Sequence, residues 1–139
     1  MRERFVIPLL LAAGLLLYLP GLQAGTFFMD DKVVIEVARH RASLPFGELF
    51  NYHGQNTYFR PILSASFLID VWLWDLKPAG LHLFNILLHV ANALLIYLGL
   101  RHLYPAHNGS IRPQPLLAAL LFLVHPLATE SVNWISGRS

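Results

Sequence analysis

Residues 78–100 read Pro78-Ala79-Gly80-Leu81-His82-Leu83-Phe84-Asn85-Ile86-Leu87-Leu88-His89-Val90-Ala91-Asn92-Ala93-Leu94-Leu95-Ile96-Tyr97-Leu98-Gly99-Leu100, without one Asp, Glu, Lys or Arg. A helix crossing a bilayer needs about 20 predominantly apolar residues, and this run supplies them, as a span over about 80–102. Two more candidates flank it. Residues 5–22 are densely apolar, and at about 1.5 Å per residue they rise about 27 Å against a hydrocarbon core of about 30 Å. Residues 114–130, between Arg112 and the acidic end at Glu130, make a shorter third span. The whole chain of 139 residues agrees: 55% is hydrophobic and 13% charged, where a soluble domain carries about 25% charged residues.

Those figures exclude several classes. Disorder needs low hydrophobicity and high charge. A disulfide scaffold or a cysteine zinc site needs cysteines, and the chain has none. A formal charge of +2, spread along the sequence, is no nucleic-acid footprint. Arg2 and Arg4 before the first span resemble a signal-peptide n-region, but Leu22-Gln23-Ala24 is a poor cleavage site because Leu22 is not small.

Basic residues set the orientation. The N-terminal tail carries Arg2 and Arg4, and the short loop before the third span, rich in turn formers (Pro105, Asn108, Gly109), carries Arg101 and Arg112. Both belong in the cytosol by the positive-inside bias. Three crossings then leave the long loop 25–77 and the segment after Glu130 together outside. Within that loop, Ile62 to Asp75 is apolar but interrupted by Asp70 and contains Trp72 and Trp74, as expected of a helix in the membrane interface. Lys32 to Ala42 reads as a second, with Val33, Val34, Val37 and Ala38 on its apolar face. A crossing through 61–76 is the alternative, and it would invert the later spans. The expected fold class is an all-α membrane protein with about three transmembrane and two interfacial helices, forming one partial membrane domain over 1–139.

Three groups of residues carry potential chemistry. Asp30 and Asp31 follow the first span, where adjacent carboxylates suit a divalent cation or a general base. They equally suit the start of a helix, Asp30 as N-cap and Asp31 in the first turn. His82, Asn85, His89 and Asn92 form a polar stripe on one side of the second span, which should face protein or water. It is either a ligand path or a set of interhelical hydrogen bonds, with His82 nearest the outer end. His125-Pro126 and Glu130 close the third span. The proline breaks the helical ladder, and a carboxylate at that depth requires a partner or a function. Arg60 and Arg138 are candidate partners, and each can hold a phosphate in a bidentate grip. A local salt bridge explains Glu130 equally well. With one odd crossing and two more, the acidic pair and His125–Glu130 are expected to flank one outward-facing cavity.

The motifs Phe28-Met29-Asp30-Asp31, Tyr58-Phe59-Arg60-Pro61, Pro78-Ala79-Gly80-Leu81-His82 through His89, and Leu121 to His125-Pro126 continuing through Glu130 to Gly137-Arg138 occur in this order. Together they resemble the N-terminal membrane region of the transmembrane and tetratricopeptide-repeat-containing O-mannosyltransferases and their bacterial relatives, within the GT-C class of glycosyltransferases. The resemblance implies a GT-C-like fold with two interfacial helices in the first external loop. It also implies a polyprenyl-phosphate sugar donor and transfer to an acceptor hydroxyl outside the cytosol. Asp30 or Asp31 would be catalytic or hold a metal, with Arg60 and Arg138 on the donor phosphate and His82, His125 and Glu130 beside the substrate. In a bacterium the location would be the inner membrane. The family has many more spans, so the segment is expected to be a fragment, inactive without the remainder of the enzyme. The rival function is a small non-catalytic membrane protein docking a partner through the polar stripe.

Overall fold

A computed structural model of the chain describes residues 5–23, 29–43, 61–105 and 113–138. Its elements are helices and 3-10 turns, with no strand among the described residues. Helix α1 (Val6–Tyr18) runs into a 3-10 turn at Leu19–Gln23, where Pro20 has no N–H to continue the ladder. Helix α2 is Met29–Ala42 and α3 is Pro61–Trp74. The longest helix, α4 (Pro78–Leu103), starts with Pro78 in the first turn and ends with Arg101 and His102 in the last. A proline needs no donor at the first position, and cations suit the negative end of the helix dipole. Helices α5 (Pro113–Val124) and α6 (Pro126–Asn133) meet at a 55° bend, and a final 3-10 turn covers Ile135–Arg138.

Two helical segments are long and apolar enough to cross a membrane, Val6–Gln23 and Pro78–Leu103, and the bent α5–α6 pair makes a third. This is the all-α membrane architecture that the charge-free runs imply. Helices α1, α4 and α5 pack together around Val6, Leu10, Ile86, Val90, Ala93, Tyr97, Ala119 and Leu123. Gly14 permits the close crossing: a Cβ there would collide with Val90 Cγ2 and press on Leu123. Leu16, Leu17, Leu95, Leu117 and Leu121 point away from this core, as lipid-facing residues do.

A second core joins α2, α3, the start of α4 and the final turn through Ala38, Phe67, Leu76, Leu81 and Ile135. Asp75 and Leu76 turn the chain from α3 into α4 with left-handed backbones, φ 48° and 55°. Such conformations cost about 1–3 kcal/mol each outside glycine. The burial of Leu76 and the seating of Trp74 against Gly80, where no Cβ intervenes, hold them in place.

Both loop helices lie where the sequence leads one to expect helices, but their faces differ from expectation. Helix α2 starts at Met29, so Asp30 is inside the first turn and is not its N-cap. Its buried side carries Asp31, Ile35 and Ala38, at i, i+4 and i+7, whereas Val33 and Val37 are exposed. Contact with α3 and the final turn selects that side, and packing overrides the side with more valines. In α3 the inward stripe is Leu63, Phe67, Asp70 and Trp74, and Asp70 is fully buried. Ile62, Ile69, Trp72 and Leu73 share the opposite, exposed side.

Candidate functional site

Chemistry at the third span begins with its break. Pro126 has no N–H for the carbonyl of Phe122. Leu127 N, which in an unbroken helix would bond to Leu123 O, donates to His125 Nδ1 at 3.3 Å. His125 thereby caps α6 from an extended conformation, φ −67° and ψ 128°. The carbonyl released in this way is taken up by the other two spans. Tyr18 Oη donates to Leu123 O at 2.7 Å, and His89 Nε2 lies 3.4 Å from the same oxygen. His89 also meets Tyr18 edge-on, with centroids 5.3 Å apart, and stacks on Phe122 at 4.8 Å.

One turn further out, Asn85 Nδ2 donates to Val132 O at 3.3 Å and to Trp134 O at 3.1 Å. Both carbonyls are at the end of α6, where a helix has no N–H donors of its own to offer them. Asn85 and His89, the middle of the polar stripe, therefore work as interhelical hydrogen-bonding groups. Their position at that interface was legible in the stripe. Tyr18 was missed, and a lone Tyr at the end of a leucine-rich span gives no signal of a carbonyl waiting on another helix.

Beside these bonds is a half-open cleft of ≈ 290 Å³ at the junction of α4, α5 and α6. Asn85, His89, Asn92 and Ser131 supply its polar lining, with Leu88 and Phe122 among the apolar walls. Asp31, His82, His125 and Glu130 do not line it.

The remaining candidate residues fall as follows. Asp31 is 1% exposed on the inward side of α2, and His82 is 2% exposed near the start of α4. His125 and Glu130 are exposed, on the bend and on α6. Asp30 and Arg138 are in helical turns, with side chains outside the described residues, and Arg60 lies outside them altogether. Contact between α2 and the final 3-10 turn brings the acidic helix to the end of the bundle that also holds Arg138. Asp31 and Glu130 do not open onto one surface there, the first being buried and the second exposed. Among the described residues no group of three or more His, Cys, Asp or Glu is placed to hold a metal ion. Sequence reasoning treated Asp70 only as an interruption, yet it is a second buried carboxylate in the helix pair that carries Asp31.

Bent span, buried acids and loop helices gathered at one end describe a polytopic all-α membrane protein. Its homologues, at about 30% identity over most of the chain, are protein O-mannosyl-transferases. Over 140 aligned positions, which take in 92% of the chain, it is 35% identical to protein O-mannosyl-transferase tmtc2 of Xenopus laevis. It is 29% identical over 137 to Tmtc1 of Drosophila melanogaster, again covering 92%, and 31% over 134 to TMTC4 of Homo sapiens, covering 83%. It spans 15–18% of the length of these relatives. No family model matches the chain, and no solved structure does.

Proposed function

We propose that these residues form the first part of a glycosyltransferase that moves a sugar from a polyprenyl-phosphate donor to an acceptor hydroxyl on the extracytoplasmic side. The observation that carries this reading is the similarity to protein O-mannosyl-transferases over 92% of the chain. The N-terminus would be cytosolic, leaving α2, α3 and the final turn outside.

In this reading Asp30 or Asp31 removes the acceptor proton as its oxygen attacks the anomeric carbon. The bond from that carbon to the phosphate oxygen breaks, and polyprenyl phosphate leaves with the electron pair. Arg60 and Arg138 meet the charge developing on the phosphate, and the carboxylate not serving as base would bind a divalent cation if the reaction uses one. His82, His125 and Glu130 border the sugar or acceptor. Three spans do not enclose all these groups, so the segment would act only with further spans.

The rival function, a module docking a partner through its polar stripe, loses most of that surface. His82, Asn85 and His89 are buried, and Asn85 and His89 bond within the chain. A chimera separates the two readings, with residues 27–138 replacing the matched segment of Xenopus tmtc2 and mannosyl transfer measured in membranes. Asp30→Asn or Asp31→Asn should lower turnover by about 10²–10⁴-fold, the usual worth of a positioned base. An active chimera indifferent to both substitutions would overturn the assignment.

A further inference from the structure

The polar stripe of α4 does not end at His89. Asn92 follows three residues later, and with Asn85, His89 and Ser131 it lines the cleft between α4, α5 and α6. Asn85 and Asn92 are seven residues apart, so they share one side of the helix and lie about 10 Å apart along it. Asn92 is within a turn of the midpoint of the 26-residue span. Ser131 is on α6, beyond the 55° bend. The cleft therefore descends from the end of the bundle that holds α6 to the middle of the membrane.

Its lining sorts the occupants. No Asp, Glu, Lys or Arg lines it among the described residues. A phosphate or a metal ion brought this far from bulk water would meet no counter-charge there, and an unpaired ion in such a setting is costly. Acyl chains fit no better. Asn92 makes no hydrogen bond among the described residues, and hydrocarbon offers its amide none. A neighbouring helix, about 10–12 Å across, roofs such a cleft without entering it. Water meets both demands. At about 30 Å³ per molecule, the ≈ 290 Å³ of the cleft holds about ten, and the amides, imidazole and hydroxyl of its lining anchor them.

We infer that the cleft between α4, α5 and α6 is a water-filled inlet that reaches from the α6 end to Asn92 at mid-membrane, and that it admits small neutral hydroxyl compounds while excluding ions. Bonds within the chain fix its floor: Asn85 holds Val132 O and Trp134 O, and His89 lies against Leu123 O. The inlet exists without a second copy or a further span. Leu95, three residues from Asn92 and 65% exposed, does not line it. That side chain faces lipid at nearly the same depth.

Because the chain has no cysteine, introduced thiols read hydration directly. Methanethiosulfonates attack the thiolate, and apolar surroundings keep a thiol protonated. The full chain is kept in native membranes opened to reagent on both faces, and each rate is taken relative to a small thiol in solution. Asn92→Cys should react with the neutral hydroxyethyl reagent about tenfold faster than Leu95→Cys, the effect of a one-unit rise in thiol pKa in lipid. Leu88→Cys, which also lines the cleft, should match Asn92→Cys and serves as a second reporter if one variant folds poorly. The cationic trimethylammonium reagent should label both about tenfold more slowly than the neutral one, for want of a counter-charge. Ser131→Trp, filling the mouth, should slow the neutral reaction at Asn92→Cys, whereas Leu121→Trp on the lipid side of α5 should not. Equal rates at 88, 92 and 95 would overturn the inference, as would equal rates for the two reagents at both cleft positions. A rate indifferent to Ser131→Trp would overturn it too. So would a fluorophore at 92 quenched by brominated acyl chains as strongly as one at 95, which would mean lipid in the cleft.

Discussion

Removing the Tyr18 hydroxyl tests whether the proline break is what ties the three spans together. In the wild-type chain Leu123 O has lost its helical donor, because Leu127 N is bonded to His125 Nδ1. Its good bond is from Tyr18 Oη at 2.7 Å, and His89 Nε2, at 3.4 Å, is a weak second. Tyr18→Phe keeps the ring and its edge contact with His89 but leaves the buried carbonyl to the longer bond. Net hydrogen bonds are worth about 0.5–1.5 kcal/mol, and interhelical ones in membranes average about 0.6 with a maximum near 1.7. The expected loss is about 1 kcal/mol, a roughly fivefold shift in the unfolding equilibrium. Equilibrium unfolding in mixed micelles, followed by tryptophan emission, measures it. The decisive arm is Pro126→Ala, which restores an N–H at 126 and lets Leu127 N return to Leu123 O. In that background Tyr18→Phe should cost less than half as much. An equal cost in both backgrounds would refute the link between the break and the bond.

Three further outcomes are expected. Asn85→Leu leaves Val132 O and Trp134 O without their amide donor, and should destabilise by about 2 kcal/mol, with protease cleavage after α6 rising in step. Gly14→Ala drives a methyl into Val90 and should cost about 1–3 kcal/mol by overpacking, with Val90→Ala recovering most of it in the same unfolding assay. Trp72, 84% exposed, should be quenched by brominated lipids when it is the only tryptophan, while a lone Trp74 is shielded. Equal quenching of the two would place α3 differently.

Much of this architecture was written in the sequence. Charge-free runs reveal spans because a bilayer punishes each buried charge, and Pro126 announces a break because it lacks a donor. Of the stripe His82–Asn85–His89–Asn92, the first three told which side of α4 meets protein, since amides and imidazoles avoid lipid, whereas Asn92 is exposed. Faces of the loop helices were harder to read. In α2 both sides carry apolar residues, and only contact with α3 and the final turn decides that Asp31 goes inward while Val33 stays out. Asp70 was obscure for the same reason: an acid in an apolar helix marks either an edge or a buried bond, and pattern alone does not distinguish them. Of the candidate site, the placement of loop and final turn at one end followed from counting crossings. The carbonyl of Leu123 did not, because backbone acceptors leave no trace in a side-chain pattern.

The bend in the third span also bears on the lipid around it. Twelve residues of α5 rise about 18 Å, and eight residues of α6, inclined at 55°, add about 7 Å, so this side of the bundle is about 25 Å tall. Helix α4, 26 residues long, measures about 39 Å. A hydrocarbon core near 30 Å fits neither. Lipids beside the bent span must therefore compress while those along α4 stretch or the helix tilts, at a fraction of a kcal/mol for each ångström of mismatch. The bent span and α4 thus call for different hydrocarbon thicknesses although they pack side by side. Beside the bent span a lipid headgroup sits several ångströms nearer the bilayer centre than it does along α4.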